Sequence, residues 1–298
     1  MPRSCAVIYQ AHQWNAVHAL RYERLRREVG ELADCFILFH ASADDPQLRS
    51  TVAVYPEARF FETEALQREL GYPYFSDKGI LPGSTHFPIL WFSRAHHYEQ
   101  YWFVESDVEF SGNWGDLIRR VPAAASAHLV ACHIKPYAEM PRNMWWRELT
   151  VPAGVPVPTA DDDWRMFGFL PIARFSALAL RTVDRAHQQG WNGFLEVLIP
   201  SVLRQAGLEI ADFKQFGSLY QPSESRTRLP GESRNSYRGS MRWRPAISLN
   251  EFARQLAPDT LYHPIKDAWT YGPEGVKREH RGRLKSLSVE QLRNARWA

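Results

Sequence analysis

Residues 101–114 read Tyr-Trp-Phe-Val-Glu-Ser-Asp-Val-Glu-Phe-Ser-Gly-Asn-Trp, and the order of those residue types decides the fold. Tyr101 to Val104 is an apolar strand that runs straight into Glu105-Ser106-Asp107, and a Gly-Asn turn follows at Gly112-Asn113. Packing explains acids at the carboxyl end of a buried strand poorly, because an unpaired carboxylate is costly to bury. A hard cation carrying a phosphate ligand explains them well, since oxygen donors suit Mg²⁺ or Mn²⁺. In open α/β sheets, ligands bind at that end of the strands.

Upstream, Cys5–Tyr9 reads as a short strand and Ala16–Val29 as a helix, with Val17, Leu20, Leu25 and Val29 near helical spacing and Gly30 as its stop. Asp34–His40 is too continuously apolar for a half-exposed strand. A short strand at Arg59–Phe61, a helix at Glu62–Leu70, a Gly- and Pro-bearing loop at Gly71–Gly83 and a helix over His86–Gln100 lead back to the opening segment. Downstream, the pattern predicts a helix at Trp114–Val121, a strand at His128–Ile134, and a Pro-rich excursion over Lys135–Asp163 across the mouth of a cleft. It continues with an extended Phe167–Arg174, helices at Ser176–Gln189 and Phe194–Ala206, and a strand at Leu208–Phe213. A turn-rich stretch, a short helix at Ser248–Leu256 and a last apolar patch at Thr260–Ile265 complete the order. Strands alternating with helices predict a mostly parallel sheet covered on both faces.

The chain has 298 residues, 45% hydrophobic, 13% aromatic and 23% charged, enough apolar material for a real core and too little charge for a disordered chain. Eleven tryptophans either fill that core or, exposed in a cleft, suit stacking on sugar or base rings. The net charge of +3 does not imply nucleic acid, but Arg226–Arg244 and Lys277–Arg296 are basic and suit phosphates, an anionic membrane surface or solvent. Cys5, Cys35 and Cys132 lie in predicted strands without metal or disulfide spacing and are expected to be small buried hydrophobes in a reducing compartment. No signal-like apolar region and no membrane-length apolar run is seen, so a cytoplasmic location is expected. The sequence has no Gly-x-Ser-x-Gly elbow, no Gly-rich phosphate loop and no nucleic-acid reader motif.

On the segment Tyr101–Trp114, and over residues 5–265, the chain resembles the GT-A glycosyltransferases, the nucleotide-diphospho-sugar transferases. The resemblance implies one α/β GT-A-like domain with a mostly parallel, Rossmann-like sheet flanked by helices. It implies a nucleotide-sugar-binding half at 1–134, an irregular acceptor-binding half at 135–265 and a basic C-terminal extension at 266–298. Glu-Ser-Asp stands where that family carries Asp-x-Asp or Glu-x-Asp. Asp107 is then the metal ligand, and Glu105 either faces the ribose or acts through a metal-bound water. His263, in Tyr262-His263-Pro264, would complete the metal shell, with its other ring nitrogen held by an acceptor. Many such transferases place an acid facing the acceptor hydroxyl in an x-Glu-Asp pattern. Here Glu196 is followed by Val197, and Glu196 is either a general base or a complement to the helix dipole.

The same resemblance places Tyr9–His12 where the nucleotide is cradled, Asp44 and Asp45 beside base or ribose, and Lys78 against phosphate or sugar. It places Arg174-Phe175-Ser176 on the acceptor side, with Ser176 otherwise a helix N-cap. The rival Asp161-Asp162-Asp163 reads as a loop or helix-start cluster. The implied activity is Mn²⁺- or Mg²⁺-dependent transfer of a sugar from a nucleotide-diphosphate donor, a UDP-sugar first of all, to a hydroxyl of a glycan or lipid-linked acceptor. Arginines of 226–244 would fold over the phosphates, and the basic tail would touch the inner membrane peripherally. Two other readings share these features: another metal-dependent nucleotide enzyme (a nucleotidyltransferase or phosphohydrolase), and a non-catalytic glycan-binding relative.

Overall fold

The computed structural model describes residues 4–12, 14–41, 51–75, 83–122, 126–221, 239–243, 246–248, 252 and 257–266. Asp44, Asp45, Lys78, residues 222–238 and 244–245 of the arginine-rich stretch, most of the helix expected over 248–256, and everything after Lys266 lie outside the described residues. The elements are β1 (Cys5–Ala11), α1 (Ala16–Val29), β2 (Asp34–His40), β3 (Ala58–Phe61), α2 (Thr63–Leu70), α3 (Phe87–Ala95), β4 (Gln100–Glu105), β5 (Glu109–Phe110) and α4 (Trp114–Arg120). They continue as β6 (Leu129–Pro136), β7 (Met166–Ser176), α5 (Ala177–Gln188), α6 (Leu195–Gln205), β8 (Ile210–Asp212), β9 (Ile247–Ser248), β10 (Leu261–Tyr262) and β11 (Ile265–Lys266).

Seven strands form one sheet in the order β3-β2-β1-β4-β7-β6-β8. β7 alone runs against its neighbours, β4 and β6; every other pairing in the sheet is parallel. The continuous apolar runs are explained by burial on both faces. Val7 and Tyr9 of β1 and Trp102 and Val104 of β4 enter one core cluster, while Ala6, Ile8, Tyr101 and Phe103 enter the other. Strand order reverses between β1 and β4, which opens a crevice at their carboxyl ends. Gln10 pairs with Glu105 at that point.

Helix α1 begins at Asn15, whose side chain accepts from the Val17 and His18 amides, and stops at Gly30, with φ at 56°. The expected helix over 86–100 ends at Ala95, because the Glu99 and Gln100 amides both bond the Ser4 carbonyl and draw the chain into the sheet. Ser248, expected to open a helix, instead lies in β9 beside β11, where Ile247 joins Val17, Phe252, Tyr262 and Ile265 in a third, smaller apolar cluster. The cysteines are free, with Cys5 and Cys132 buried as expected and Cys35 only half-buried. Among the described residues no helix is long and apolar enough to cross a membrane.

The apolar stripe of α1 is interrupted by two inward arginines. Arg21 and Arg24 are buried and approach the carboxylate of Glu109 at 2.8 and 3.4 Å. Arg21 also donates to the Ser106 carbonyl, and Arg24 donates to the carbonyls of Phe110 and Gly112 and to Glu28. Glu28 in turn accepts from the Trp114 amide. The chain leaving β4 is thereby fixed to α1 along its length. Glu109→Ala strands two buried guanidinium groups beside each other. It is expected to cost about 3–5 kcal/mol of stability, read as a lower urea midpoint; a loss within about 0.5 kcal/mol would contradict this role.

Candidate metal and nucleotide site

Glu105 ends β4, and Asp107 follows it in a turn whose Ser106 carbonyl is held by Arg21 and by the Tyr9 hydroxyl. β10 pairs antiparallel with β5, setting Leu261 opposite Phe110 and Tyr262 opposite Glu109. The next residue, His263, is thus delivered to Asp107, and the Ile265 amide bonds the Asp107 carbonyl at 2.8 Å. The His263 Nε2 lies 3.5 Å from Asp107 Oδ1 and 3.8 Å from Glu105 Oε2. One ligand atom from each of the three residues falls within a 4.8 Å spread.

The histidine is oriented from behind. Its Nδ1 lies 2.7 Å from the Arg242 carbonyl, its amide donates to the Ser240 carbonyl, and its ring packs edge-on against Phe169. With Nδ1 donating to that carbonyl, the ring turns its Nε2 toward the acids, the nitrogen a metal ion would take. Two carboxylates and one imidazole suit Mn²⁺ or Mg²⁺, and the spacing lets all three meet one ion. The Lys266 ammonium lies 2.5 Å from Asp107 Oδ2, so the acid pair already has a positive neighbour. Burial pushes the Asp107 carboxyl up, but Lys266 and His263 outweigh it and hold it well below the usual carboxylate range. Burial and then the Asp107 charge push Glu105 up to about 7, although the Thr85 hydroxyl donates to it at 3.3 Å. Of the two acids, Asp107 keeps its charge and Glu105 is the one that takes a proton first.

Glu196 lies in the first turn of α6, within electrostatic reach of Glu105. Burial, and then the Glu105 charge, raise its carboxyl well above the ordinary range. No hydrogen bond to that carboxyl occurs among the described residues, and the helix cap, Phe194, makes no side-chain capping bond.

No protein-family model matches the chain, and no curated protein does. Among solved structures, the chain is similar to the galactosyltransferase LgtC in complex with donor and acceptor sugar analogs, at 10% identity and a TM-score of 0.43 over 96% of this chain and 98% of that one. It is also similar to the glucosyl-3-phosphoglycerate synthase of Mycobacterium tuberculosis in complex with Mn²⁺, UDP and phosphoglyceric acid, at 14% identity and a TM-score of 0.39 over 70% and 68%. Overlaps this loose leave the geometry of the site itself as the ground for function.

Of the residues singled out in the sequence, the structure brings Glu105, Asp107 and His263 together and sets Glu196 nearby. Two others are corrected. Tyr9 faces no cleft: it is 1% exposed, its ring packs against Trp14 and Tyr22, and its hydroxyl is spent on the Ser106 carbonyl. Arg174 is also 1% exposed; it pairs in register with Trp102, toward the opposite end of β4 from Glu105, and donates to Gln100 and the Ala127 carbonyl. Ser176 caps α5 through the Ala179 amide. Asp163 is gripped by Arg165, and Asp161 and Asp162 are exposed. His12 lies within electrostatic reach of Asp107 and Lys266.

Sequence reasoning missed Lys266 and Thr85. Lys266 falls at the start of the basic extension, and its place three residues after His263 is the available signal. Thr85 carried none; it is positioned by Gln10, which donates to its carbonyl at 2.8 Å.

Next to Thr85, His86 and His187 are buried with their Nε2 atoms 2.8 Å apart, and the His187 Nδ1 lies 3.1 Å from the Trp191 carbonyl. Burial lowers both, His187 to about 4, with Asp184, itself paired to Arg94 and Tyr72, acting weakly the other way on His187. Both rings are neutral in the folded chain and protonate in the unfolded chain below pH ~6.5. The unfolded state therefore takes up more protons, and stability falls as pH drops from about 6.5 to 4, on the order of 3 kcal/mol for His187. The double variant H86Q/H187Q is expected to flatten the wild-type fall in thermal midpoint across that window. Equal slopes in the two proteins would refute the assignment.

Proposed function

We propose that this chain is a metal-dependent glycosyltransferase that moves a sugar from a nucleotide-diphosphate donor to an acceptor hydroxyl. The observation that carries this reading is the placement of Glu105, Asp107 and His263, its ring anchored through Nδ1, at the crevice between β1 and β4. That crevice is where an open α/β sheet receives a nucleotide, and the donor set suits a hard divalent cation.

Asp107, His263 and Glu105 would hold Mn²⁺ or Mg²⁺, which when bound neutralises charge growing on the departing diphosphate. The chain's own residues do the rest. The turn after β4, tied to α1 through Arg21 and Arg24, keeps both acids in place without reorganisation. Lys266 supplies a fixed positive charge beside Asp107. Glu196, near Glu105 in the first turn of α6, would accept a proton from an acceptor hydroxyl in its ionised form. A UDP-sugar is the first donor to try, and a glycan or lipid-linked molecule the first acceptor class. The arginine-rich stretch around 226–244 would close over the phosphates, and the basic tail would give peripheral membrane contact.

Asp107→Ala is expected to abolish Mn²⁺-dependent turnover of a UDP-sugar, followed by product analysis, while circular dichroism shows the fold intact. Near-full turnover would remove the metal reading, and release of free sugar phosphate in place of a glycoside would identify a phosphohydrolase. Glu196→Gln is expected to slow transfer by roughly 10²–10⁴ if the residue is the general base; a change within about twofold would return it to a helix-dipole role.

A further inference from the structure

The segment that orients His263 is itself held by a second histidine. Residues 240–242 lie alongside His263, with Met241 as its parallel bridge partner. The Ser240 carbonyl accepts from the His263 amide at 2.8 Å, the Arg242 amide donates to the His263 carbonyl at 3.1 Å, and the Arg242 carbonyl lies 2.7 Å from the His263 Nδ1. Between the two carbonyls that serve His263 stands that of Met241, a fully buried residue. A buried carbonyl needs a donor, and the donor here is the His133 Nε2 at 2.8 Å. A carbonyl only accepts, so the hydrogen of that bond is carried by the imidazole.

β6 supplies that donor by leaving its ladder. Cys132 pairs with Phe169 and the next pair is Lys135 with Phe167, so His133 and Ile134 together stand opposite Gly168. A bulge of this kind re-aims a side chain. His133 has φ at 53°, in the left-handed region that residues with a Cβ seldom enter. Gly168 makes room for the bulge, since a Cβ there would stand 2.8 Å from the Ile134 Cδ1. The amides taken out of the sheet find new acceptors: His133 donates to the Tyr220 hydroxyl and Ile134 to Asp212, and Tyr220 itself donates to Asp212. The His133 ring meets Tyr220 at 4.8 Å and Phe169 at 6.0 Å between centroids, and Phe169 also meets the His263 ring at 5.2 Å. A backbone outlier of this sort persists only where its surroundings over-determine it.

We infer that His133 is a positioning residue for the cation site: by fixing the Met241 carbonyl it sets residues 240–242, and with them the place of the His263 Nε2 against Asp107 and Glu105. The path is short. It runs from the His133 imidazole to the Met241 carbonyl, one residue along the backbone to Arg242, and from the Arg242 carbonyl to the His263 Nδ1. Without the imidazole, a buried carbonyl loses its donor and the segment shifts to recover one. The acceptor behind His263 then moves with it. A metal-bound histidine depends on the group that holds its far ring nitrogen, and here that dependence reaches one contact further, to the side chain that holds the acceptor's own segment. The inference rests on the cation reading of Glu105, Asp107 and His263, and the experiment separates the two.

Wild type, H133N, H133Q and H263A are titrated with Mn²⁺, alone and with UDP, by calorimetry, and the bound Mn²⁺ is probed by electron spin-echo spectroscopy for coupling to a ligand nitrogen. Asparagine tolerates a left-handed backbone, but its amide falls short of the reach of Nε2; the glutamine amide matches that reach. H133N is expected to weaken Mn²⁺ binding roughly tenfold or more and to diminish the nitrogen coupling, which H263A abolishes. H133Q is expected to recover most of both. Thermal midpoints are followed in parallel. An H133N protein with a lowered midpoint, but with Mn²⁺ affinity within about twofold of wild type and the nitrogen coupling unchanged, overturns the inference and leaves the cation site standing. An H133Q protein that binds Mn²⁺ as poorly as H133N also overturns it, because the bond to Met241 is then not the cause. A wild-type protein that takes no Mn²⁺ under either condition rejects the cation reading, and the inference with it.

Discussion

Two carboxylates held within a few ångströms of each other at the edge of a buried sheet need positive charge, and the arrangement around Glu105 and Asp107 follows from that requirement. Water is largely excluded, so neither charge is screened well and repulsion between them is strong. The chain answers from its distant end. β10 docks on β5, β11 follows, and His263 and Lys266 arrive together against Asp107. The small third cluster around Val17, Tyr262 and Ile265 anchors that end to α1. The late strands are too short to persist alone; their reason for being ordered is the charge they meet and the apolar contacts that come with it.

The same fourteen-residue segment carries a third acid with a different fate. Glu109 points back into α1, where Arg21 and Arg24 enclose it. One charge system is sealed and structural, the other opens on the crevice, and only Val108 separates Asp107 from Glu109 along the chain. The sealed system stiffens the open one: Arg21 grips the Ser106 carbonyl itself. A rigid backbone between two acids is what a preorganised site requires, since charge that must move into place during a reaction stabilises it less.

Much of this was legible in the residues. Ala16–Val29 and Asp34–His40 have the bounds that the helix stop and apolar continuity foretell, because Gly30 and a run of large side chains act locally. Glu105 and Asp107 announced themselves by standing where packing had no use for them. His263 was visible only through its apolar neighbours. Lys266 and Thr85 were not legible in the same way: each is ordinary in its local sequence and acquires meaning from a partner far along the chain, Lys266 lying 159 positions from Asp107. Tyr9 and Arg174 misled for the converse reason. They sit at strand positions that suggest a site, but tertiary packing had already engaged their polar atoms, Tyr9 on the Ser106 carbonyl and Arg174 on Gln100 and Ala127.

That long separation bears on how the protein is made. Synthesis runs from the amino end, and the sheet through β8 is complete before β10 and β11 emerge. Until they do, the acid pair waits with neither its imidazole nor its ammonium partner. A cation held by Glu105, Asp107 and His263 would therefore find its whole ligand set only late in translation, because a product ending before β10 lacks one of the three, His263, together with the Lys266 ammonium. A bound ion would join β10 and β11 to the end of β4, so that docking of these short strands and ion binding favour each other.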